Sequence, residues 1–529
     1  MGERMSRTPT AQRNSSGSEA AFTEALLPVA SQAPGSLATD VLESVRNATK
    51  LGASLIATWT IALGVRILLP RYLGPAAFGS FQFADSFTAT VLVVTGLGLE
   101  TYVRKEVATR ATHASEFFGG AVLVQLVVSA FAMGLALWGL GRAGRATDVL
   151  LLVLTVGLVQ VLITINATSG AVLHATGRVG GLSVLNVASK VVWGGGIVGV
   201  IVLHGGVRSV ALAMLVAEIF RTAGLVVLAR VHAGLRLTVD VGATALVLRA
   251  SAPFYLSTLA QTVYSRLDVT VLSFMASDVE VGWYGVASNL AGMALLLAPL
   301  IGWVLLPLSS RAAARSEEEL NMVSQRAMEF ILVASLPVSL FLYLSADVLV
   351  LTLFGSAFEP AIRSLRVSAP LFILTYAAMV SASLLIRLGR GWAVTWISLL
   401  GMVVSPLLNI VLIPRCAALL GRGGAGVGAA LALILTEVVA TVGMTWLLGG
   451  RAFDRRSKTV LAKTCAVSAF VIAVDIPLRA IGPWRLLLEL PLYIALVVAW
   501  GALDVRRLVA VGRAALARRP SESALLEAM

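Results

Sequence analysis

Two stretches of this chain, about two hundred residues apart, carry one pattern. Residues 78–84 read Phe-Gly-Ser-Phe-Gln-Phe-Ala, and residues 281–287 read Val-Gly-Trp-Tyr-Gly-Val-Ala. A Gly-Arg pair at 177–178 recurs at 389–390. Each echo falls at the corresponding place in a series of apolar segments. A membrane protein with two similar halves is typically a transporter, because two halves can rock about a site held between them.

The composition is that of a membrane protein. The chain has 529 residues, of which 58% are hydrophobic and 13% are charged, and its mean hydropathy is +0.89. A soluble domain is nearer 45–50% apolar and about 25% charged. A single core cannot absorb this excess because core growth stops at roughly 250–300 residues. The surplus apolar residues are therefore expected to face lipid.

The net charge of +13 lies mainly in short connectors between apolar runs. On a soluble protein this charge would suggest nucleic acid, but no groove-reading motif is present, and we expect no nucleic-acid partner. Lys and Arg concentrate in the connectors on the side of both termini, which indicates that both termini are cytoplasmic. The predicted location is a membrane that the chain crosses many times.

Cofactor and catalytic motifs are missing from the sequence. The two cysteines and four histidines have no metal-ligand spacing, so we predict no metal and no cofactor. No phosphate-binding loop of the type G-x-x-x-x-G-K-[ST] occurs, and no nucleophile-elbow or zinc-protease motif occurs. The connectors are too short for a catalytic domain. The sequence therefore predicts a protein that is not an enzyme.

About fourteen segments are long and apolar enough to cross a bilayer as helices. The predicted class is an all-α polytopic membrane protein with two six-helix lobes and two further C-terminal helices. The predicted spans are 51–70, 83–103, 117–140, 149–172, 181–203, 209–229, 251–274, 284–308, 327–353, 366–386, 392–413, 425–448, 460–480 and 485–503. The span at 327–353 contains Pro337, so it is expected to tilt, kink or end early.

These spans divide the chain into seven parts. They are a disordered cytoplasmic tail (1–36), an amphipathic helix on the membrane surface (37–50), an N-lobe (51–230), a cytoplasmic connector (231–250), a C-lobe (251–450), a terminal span pair (451–503) and a basic tail (504–529). Each lobe holds six spans, an even number, so the two lobes have the same orientation in the membrane.

Several ionisable residues lie inside the predicted spans, where a charge costs roughly 2.5–3.5 kcal/mol unless it faces protein or water. Glu218 aligns with Glu437 in the repeat. Glu437 has no basic residue within helical reach, so it pairs with another span or titrates. The full set is Arg66, Asp85, Lys190, Glu218, Arg266, Asp268 and Glu437.

Structural explanations compete with functional ones for these residues. Arg66 is within reach of the outer headgroups by snorkelling. Glu218 pairs either with Arg221, three residues later, or with Lys190 across adjacent spans. Asp85, placed at the start of its predicted span, would complement the helix dipole. Arg266 and Asp268 point to different sides of one helix, so at least one of them is expected to face a water-filled interior.

Cations inside a helix bundle favour an anionic cargo, because Arg and Lys replace water around phosphate oxygens. Lys190, Arg266 and Arg66 are therefore the predicted contacts of an anionic headgroup. Glu437, Glu218, Asp268 and Asp85 are predicted to balance these charges or to carry coupling ions, either H⁺ or Na⁺.

Several motifs resemble the polysaccharide-exporting oligosaccharide flippase family. Residues 71–81 read Arg-Tyr-Leu-Gly-Pro-Ala-Ala-Phe-Gly-Ser-Phe, which is similar to the R-x-L-G-P-x-x-F-G-x-[YF] connector of that family. A Gly-Leu-Gly and a basic-acidic pair follow, as in the family. Further similar motifs lie at 281–287, 307–311, 353–358, 409–414 and 426–430. The resemblance covers roughly residues 45–450.

This family belongs to the multidrug, oligosaccharidyl-lipid and polysaccharide exporter superfamily. The resemblance implies two lobes forming a V around a central cavity, and alternating access. It also implies a polyprenyl-diphosphate-linked sugar as substrate, membrane lipids as surroundings and other polysaccharide assembly proteins as partners. Three alternatives stay open: a multidrug and toxin extruder of the same superfamily, a membrane enzyme of polysaccharide assembly, and a scaffold that transports nothing.

Overall fold

The computed structural model describes residues 37–96, 114–175, 179–233, 241–293, 315–453 and 455–501. These residues form helices joined by short turns, and no strand occurs among them. The two predicted tails, at 1–36 and 504–529, lie outside the described residues. The predicted all-α class is confirmed.

Fifteen α-helices are assigned within the described ranges, and we number them α1 to α15. Those of the first half are α1 (Leu37–Leu92), α2 (Ala114–Arg142), α3 (Thr147–Ala175), α4 (Val179–Val202), α5 (Val207–Ala233), α6 (Val241–Met275) and α7 (Asp278–Met293). Those of the second half are α8 (Glu317–Leu344), α9 (Ala346–Phe354), α10 (Ala361–Ser368), α11 (Leu371–Arg387), α12 (Gly391–Leu420), α13 (Gly424–Leu448), α14 (Arg455–Leu478) and α15 (Leu486–Ala499).

Helix α1 contains a bend at Gly74 that divides it into a first arm (residues 37–73) and a second arm (residues 75–92). Gly74 has φ 73° and ψ 171°, a conformation that is open to glycine and closed to other residues. Pro75 follows, and proline suits the first position of a helix because it has no N–H to leave unpaired. We call the side of the bundle that holds this bend the Gly74 end.

Two predicted boundaries in α1 differ from the structure. The second span was expected to begin at residue 83, but its helix begins directly after Gly74 because Pro75 starts a helix well. The surface helix at 37–50 was expected to be separate, but no break divides it from the span at 51–70. Residues 45–63 contain no proline and a single glycine, so nothing in the sequence ends the helix there.

The structure contains enough spans for a multi-pass membrane protein. Ten helical segments of the described residues are long and apolar enough to cross a bilayer. Two of them contain a reversal, at Gly74 and at the 3₁₀ turn Arg479–Arg485, so each of these holds two spans. Helices α6 and α7 are not among these ten segments. Large apolar side chains such as Phe131 and Trp446 are 74% and 79% exposed, as expected for a lipid-facing surface.

Further along the chain, prolines and glycines set the remaining ends. Helix α8 contains Pro337 and ends at Leu344, so the span predicted to reach residue 353 ends early. Helix α9 then continues as a separate short helix, and Gly355, with φ 90°, follows it. Pro370 precedes α11, where it separates α11 from α10.

Helix packing defines two lobes and an accessory pair. In the N-lobe, α1 packs against α3 and α4, and these pack against α5. In the C-lobe, α12 packs against α6 and α13, and α11 packs against α8 and α13. The lobes meet where α1 packs against α6 and α7, and a hydrophobic cluster with residues from both lobes fills this contact. The accessory pair, α14 and α15, packs on the C-lobe through α8.

Candidate transport site

Two glycines of the sequence repeat, Gly79 and Gly282, bring the lobes together at the Gly74 end. A methyl group on Gly79 would overlap the backbone of Asp278, and one on Gly282 would overlap the backbone of Pro75. Each glycine therefore lets the opposite lobe approach to backbone contact. The two positions align in the repeat, so the sequence echo marks a pseudo-symmetric contact between the halves.

Polar contacts surround this glycine contact. Ser80 Oγ donates to Asp278 Oδ2 at 2.8 Å, and Arg71 Nη1 donates to the carbonyl oxygen of Thr352 at 3.2 Å. Arg145 lies between the rings of Phe83 in the N-lobe and Phe274 in the C-lobe, with its guanidinium carbon 5.1 and 5.3 Å from their centroids. These interactions all cross the lobe boundary, so together they close the Gly74 end.

Arg145 adds a hydrogen bond to its two ring contacts, because its Nη2 donates to the carbonyl oxygen of Ser273. The lobes also touch at the opposite end of the bundle. There Gly120 of α2 lies against the side chain of Thr244 of α6, and a methyl group on Gly120 would overlap it. The lobes therefore meet in a glycine contact at each end of the bundle.

Between these two contacts, an ion pair joins the lobes. Arg266 Nη1 on α6 lies 3.3 Å from Asp85 Oδ2 on the second arm of α1. Asp85 is ten residues beyond Pro75, about 15 Å along the helix, which is half the thickness of a bilayer core of about 30 Å. The expectation that Asp85 begins its helix is wrong, because that helix begins at Pro75. The side chains are 49% and 29% exposed, so the pair is not sealed in a dry core.

Arg66 connects this pair to the interior of the N-lobe. It lies within electrostatic range of Asp85 and Arg266 on one side and of Lys190 on the other. Arg66 is eight residues before the Gly74 bend, about 12 Å along α1. The structure therefore brings the three predicted headgroup cations, Arg66, Lys190 and Arg266, into one neighbourhood.

A second group of polar residues lies around Lys190. Asn166 Nδ2 on α3 donates to Glu218 Oε2 on α5 at 2.9 Å, and Arg221 Nη1 lies 3.7 Å from the same oxygen. Lys190 Nζ lies 4.7 Å from the centroid of the Trp193 ring and within electrostatic range of Glu218 and Arg221. Glu218 therefore has both of the predicted partners as neighbours.

Four atoms of this group are buried without a hydrogen-bond partner among the described residues. They are Asn166 Oδ1, Asn186 Oδ1, Trp193 Nε1 and Arg221 Nε. Buried polar groups are nearly always paired in folded proteins, and an unpaired one costs about 1–3 kcal/mol. The group therefore has unused capacity to bind a polar ligand. Sequence reasoning overlooked Asn166, although an asparagine inside an apolar span was a signal for it.

The predicted acids of the C-lobe lie in different surroundings. Asp268 is 2% exposed; the hydroxyl of Tyr284 donates to its Oδ2, and the N–H of Val269 donates to its Oδ1 at 2.8 Å. It is enclosed by protein and lies within electrostatic range of Arg266. Glu437 is 3% exposed on α13 and interacts with the surrounding protein.

Comparison with known families identifies the chain. The family described as "Polysaccharide biosynthesis protein" matches residues 44–313, about half of the chain. The chain belongs to this family. No curated protein matches it at the sequence level. The match begins in the first arm of α1 and includes the lobe contact and every predicted headgroup cation.

Solved structures identify the fold. The lipid II flippase MurJ in an inward closed conformation superposes with a TM-score of 0.68 at 13% identity, covering 88% of this chain and 100% of the flippase. A multidrug resistance MATE transporter of the MOP superfamily in an inward-facing conformation gives 0.61 at 14% identity, covering 75% and 98%. The outward-facing conformation of a MATE transporter gives 0.52 at 16% identity, covering 77% and 96%.

At these identities the likeness concerns the fold. This protein is a multi-pass membrane protein with the fold of membrane flippases and transporters, and the folds it resembles are those of transporters and not of enzymes. The family resemblance drawn from short motifs in the sequence is confirmed by the family match, and the fold is that of the flippase and transporter structures.

Proposed function

We propose that this protein moves a polyprenyl-diphosphate-linked oligosaccharide or polysaccharide precursor across a bacterial inner membrane by alternating access, with both termini in the cytoplasm. The observation that carries the proposal is the position of Arg66. It joins the Arg266–Asp85 pair at the lobe boundary to Lys190 inside the N-lobe. Cations from both lobes are thereby gathered near the middle of the membrane.

The charge balance of this group favours an anionic cargo. Among the described residues, Arg66, Lys190, Arg221 and Arg266 are opposed by Asp85, Glu218 and Asp268, so four cations face three acids, an excess of one positive charge. A diphosphate that links a lipid to a sugar carries about two negative charges, which would offset this excess. A cationic drug, the cargo of a multidrug extruder, would increase it.

The unused polar atoms near Lys190 suit the sugar part of the same substrate. Sugar hydroxyls donate and accept hydrogen bonds, and they would satisfy the carbonyl oxygens of Asn166 and Asn186 and the N–H groups of Trp193 and Arg221. The lipid tail would stay in the bilayer beside the lobes, since an apolar chain gains nothing from a polar interior.

Alternating access requires contacts that can open at either end in turn. The glycine contacts at Gly79–Gly282 and at Gly120–Thr244 lie on opposite sides of the Arg266–Asp85 pair. A phosphate group bound to Arg266 would compete with Asp85, which would loosen the ion pair that joins the lobes. Asp268, Glu437 and Glu218 are the candidates for balancing charge or carrying H⁺ or Na⁺.

The test is translocation of a fluorescent lipid-linked sugar in proteoliposomes, compared between wild type, K190A, R266A and the double variant. A hydrogen bond to a charged group contributes about 1.5–3 kcal/mol, so each single loss should slow transport roughly 10- to 150-fold. The matched control is R208A, which removes a surface ion pair between Arg208 at the start of α5 and Asp148 at the start of α3.

Wild-type transport rates in both single variants and in the double variant would refute the proposed headgroup site. If the protein makes cells resistant to a cationic drug, and replacing Asp85 or Glu218 abolishes that resistance, the multidrug extruder would be favoured instead. This second function is supported by the acids inside both lobes, including the buried Glu437, because a cationic cargo binds acidic groups.

A further inference from the structure

The accessory pair is fastened to the C-lobe by one buried arginine. Arg485 is 1% exposed and lies in the turn between α14 and α15. Its Nε donates to Asp475 Oδ1 at 2.9 Å, and its Nη2 donates to the carbonyl oxygen of Leu344 at 2.9 Å and to Asp347 Oδ1 at 2.6 Å. One guanidinium thus connects α14 to the end of α8 and to the first turn of α9.

Glu489 of α15 lies beside this arginine without a hydrogen bond. Its side chain is fully buried, and no donor among the described residues reaches either carboxylate oxygen. The nearest cationic atom is Arg485 Nε at 3.8 Å, which already donates to Asp475. The Glu489 carboxyl also faces the carboxyl of Asp475, which is likewise fully buried.

The other charged and titratable groups around the site do not supply the missing donor. Arg479 donates to Asp475 through Nε and Nη2, and its side chain is 39% exposed. Arg366 of α10 lies 3.6 Å from Asp347 and beside the ring of Tyr343. Three guanidinium groups therefore surround the carboxyls of Asp475, Asp347 and Glu489, but among the described residues none of them donates to Glu489.

Ionisation of Glu489 would place a fully buried negative charge without a hydrogen-bond donor next to the Asp475 carboxyl, which costs several kcal/mol because burial removes the water that stabilises a charge. A proton on one of two facing carboxyls removes one charge and turns that carboxyl into a donor. Glu489 is the carboxyl that has no donor, and Asp475 is the adjacent acceptor.

We propose that Glu489 is a proton-binding site and that it holds a proton which it shares with Asp475. Nothing in the transport site requires this proton, and the proposal stands without the proposed function. The place of the proton in a transport cycle does rest on that function.

The fold gives the site a route to the lobe contact. Arg485 holds Asp347 at the first turn of α9, and Thr352 near the end of α9 accepts the hydrogen bond from Arg71 of the N-lobe. Loss of the proton would change the charge around Arg485 and so change its interaction with Asp347 of α9. The geometry therefore connects protonation in the accessory pair to closure of the Gly74 end.

The direct test is infrared difference spectroscopy of the purified protein between about pH 5.5 and about pH 8.5, a range in which an ordinary glutamate is already ionised. Wild type should show the carbonyl stretch of a protonated carboxylic acid, decreasing as pH rises. E489Q should lack this band. E359Q, which changes an exposed carboxylate at the same end of the bundle, should retain it. A wild-type spectrum without the band would overturn the proposal.

Thermal unfolding gives a second, independent readout. The folded chain keeps the proton while the unfolded chain releases it above about pH 4.3, so wild-type stability should fall as pH rises through this range. E489Q mimics the neutral carboxyl and should lose less stability than wild type over the same range. Equal pH dependence in the two proteins would contradict the proposal.

D475N serves if E489Q does not fold. It changes the acceptor of the shared proton, so the infrared band should shift in frequency. A band at the wild-type frequency in D475N would place the proton elsewhere and overturn the assignment to the Glu489–Asp475 pair.

Discussion

Gly79→Ala is expected to hold the lobes apart at the Gly74 end. The added methyl group would overlap the carbonyl group of Asp278 and approach the amide nitrogen of Gly282 at 2.9 Å. Both obstacles are backbone atoms, so no side-chain rotation relieves the overlap. Overpacking costs about 1–3 kcal/mol in general, and contact with backbone favours the upper part, about 2–3 kcal/mol.

That cost applies only to the closed contact, so it shifts the equilibrium between closed and open Gly74 ends. A cost of about 2–3 kcal/mol corresponds to a shift of roughly 30- to 150-fold towards the open form. Gly282→Ala should act in the same direction, because its methyl group would overlap the backbone of Pro75. The two variants test the pseudo-symmetry of the contact from opposite lobes.

The assay is a distance measurement between spin labels at exposed positions, Thr147→Cys in the N-lobe and Ser356→Cys in the C-lobe, after replacement of Cys416 and Cys465. Gly79→Ala should move the distribution to longer distances. Gly64→Ala is the matched control, because it changes the same helix where a methyl group meets nothing within 4 Å. Identical distributions in the two variants would refute the reasoning.

Two further predictions concern the same end of the bundle. Gly74→Ala should lower the thermal unfolding midpoint, because alanine at φ 73° and ψ 171° costs about 1–3 kcal/mol. Gly64→Ala is again the control, and an equal midpoint in the two variants would show that the bend tolerates a side chain. Arg145→Gln should lengthen the distance between the spin labels, because it removes two cation–π contacts of about 0.5–2 kcal/mol each and a hydrogen bond across the lobes. Arg142→Gln is the control, because within the described residues it removes a contact with Trp138 of its own helix and none with the other lobe. It should leave that distance as in wild type, and an equal change in both variants would argue against a bridge between the lobes at Arg145.

Spans and the two-lobe repeat were predictable because they depend on local properties of the chain. About 20 consecutive apolar residues predict a span whatever they pack against. Pro337 predicted that its span would tilt, kink or end early, and α8 ends at Leu344. The errors occurred where a turn is too short to register in hydropathy, as at Gly74, where the chain reverses within two residues and the second span begins at once.

The candidate site was predictable as a set of residues and not as an arrangement. Charge in an apolar span singled out Arg66, Lys190 and Arg266, because such residues are costly unless they serve a purpose. The sequence did not reveal that Arg66 lies between the other two, or that Asp85 pairs with Arg266. These partners are 181 residues apart in the chain, and only helix packing brings them within 3.3 Å.

Arg145 and Arg485 illustrate the same limit. Both lie near predicted span ends, where an arginine is ordinary. Arg145 becomes a bridge between lobes because the rings of Phe83 and Phe274 meet around it, and Arg485 becomes a buried anchor because α8, α9 and α14 converge on it.

The sequence alone determined the membrane environment, the helical class and the duplication, because each depends on the order of apolar and polar residues along the chain. The packing of helices that are distant in sequence decided the rest. It determined which charges meet, which glycines touch the opposite lobe and which carboxyl has no donor. Contact energies of that kind fall off within a few ångströms, so they exist only once the lobes have come together.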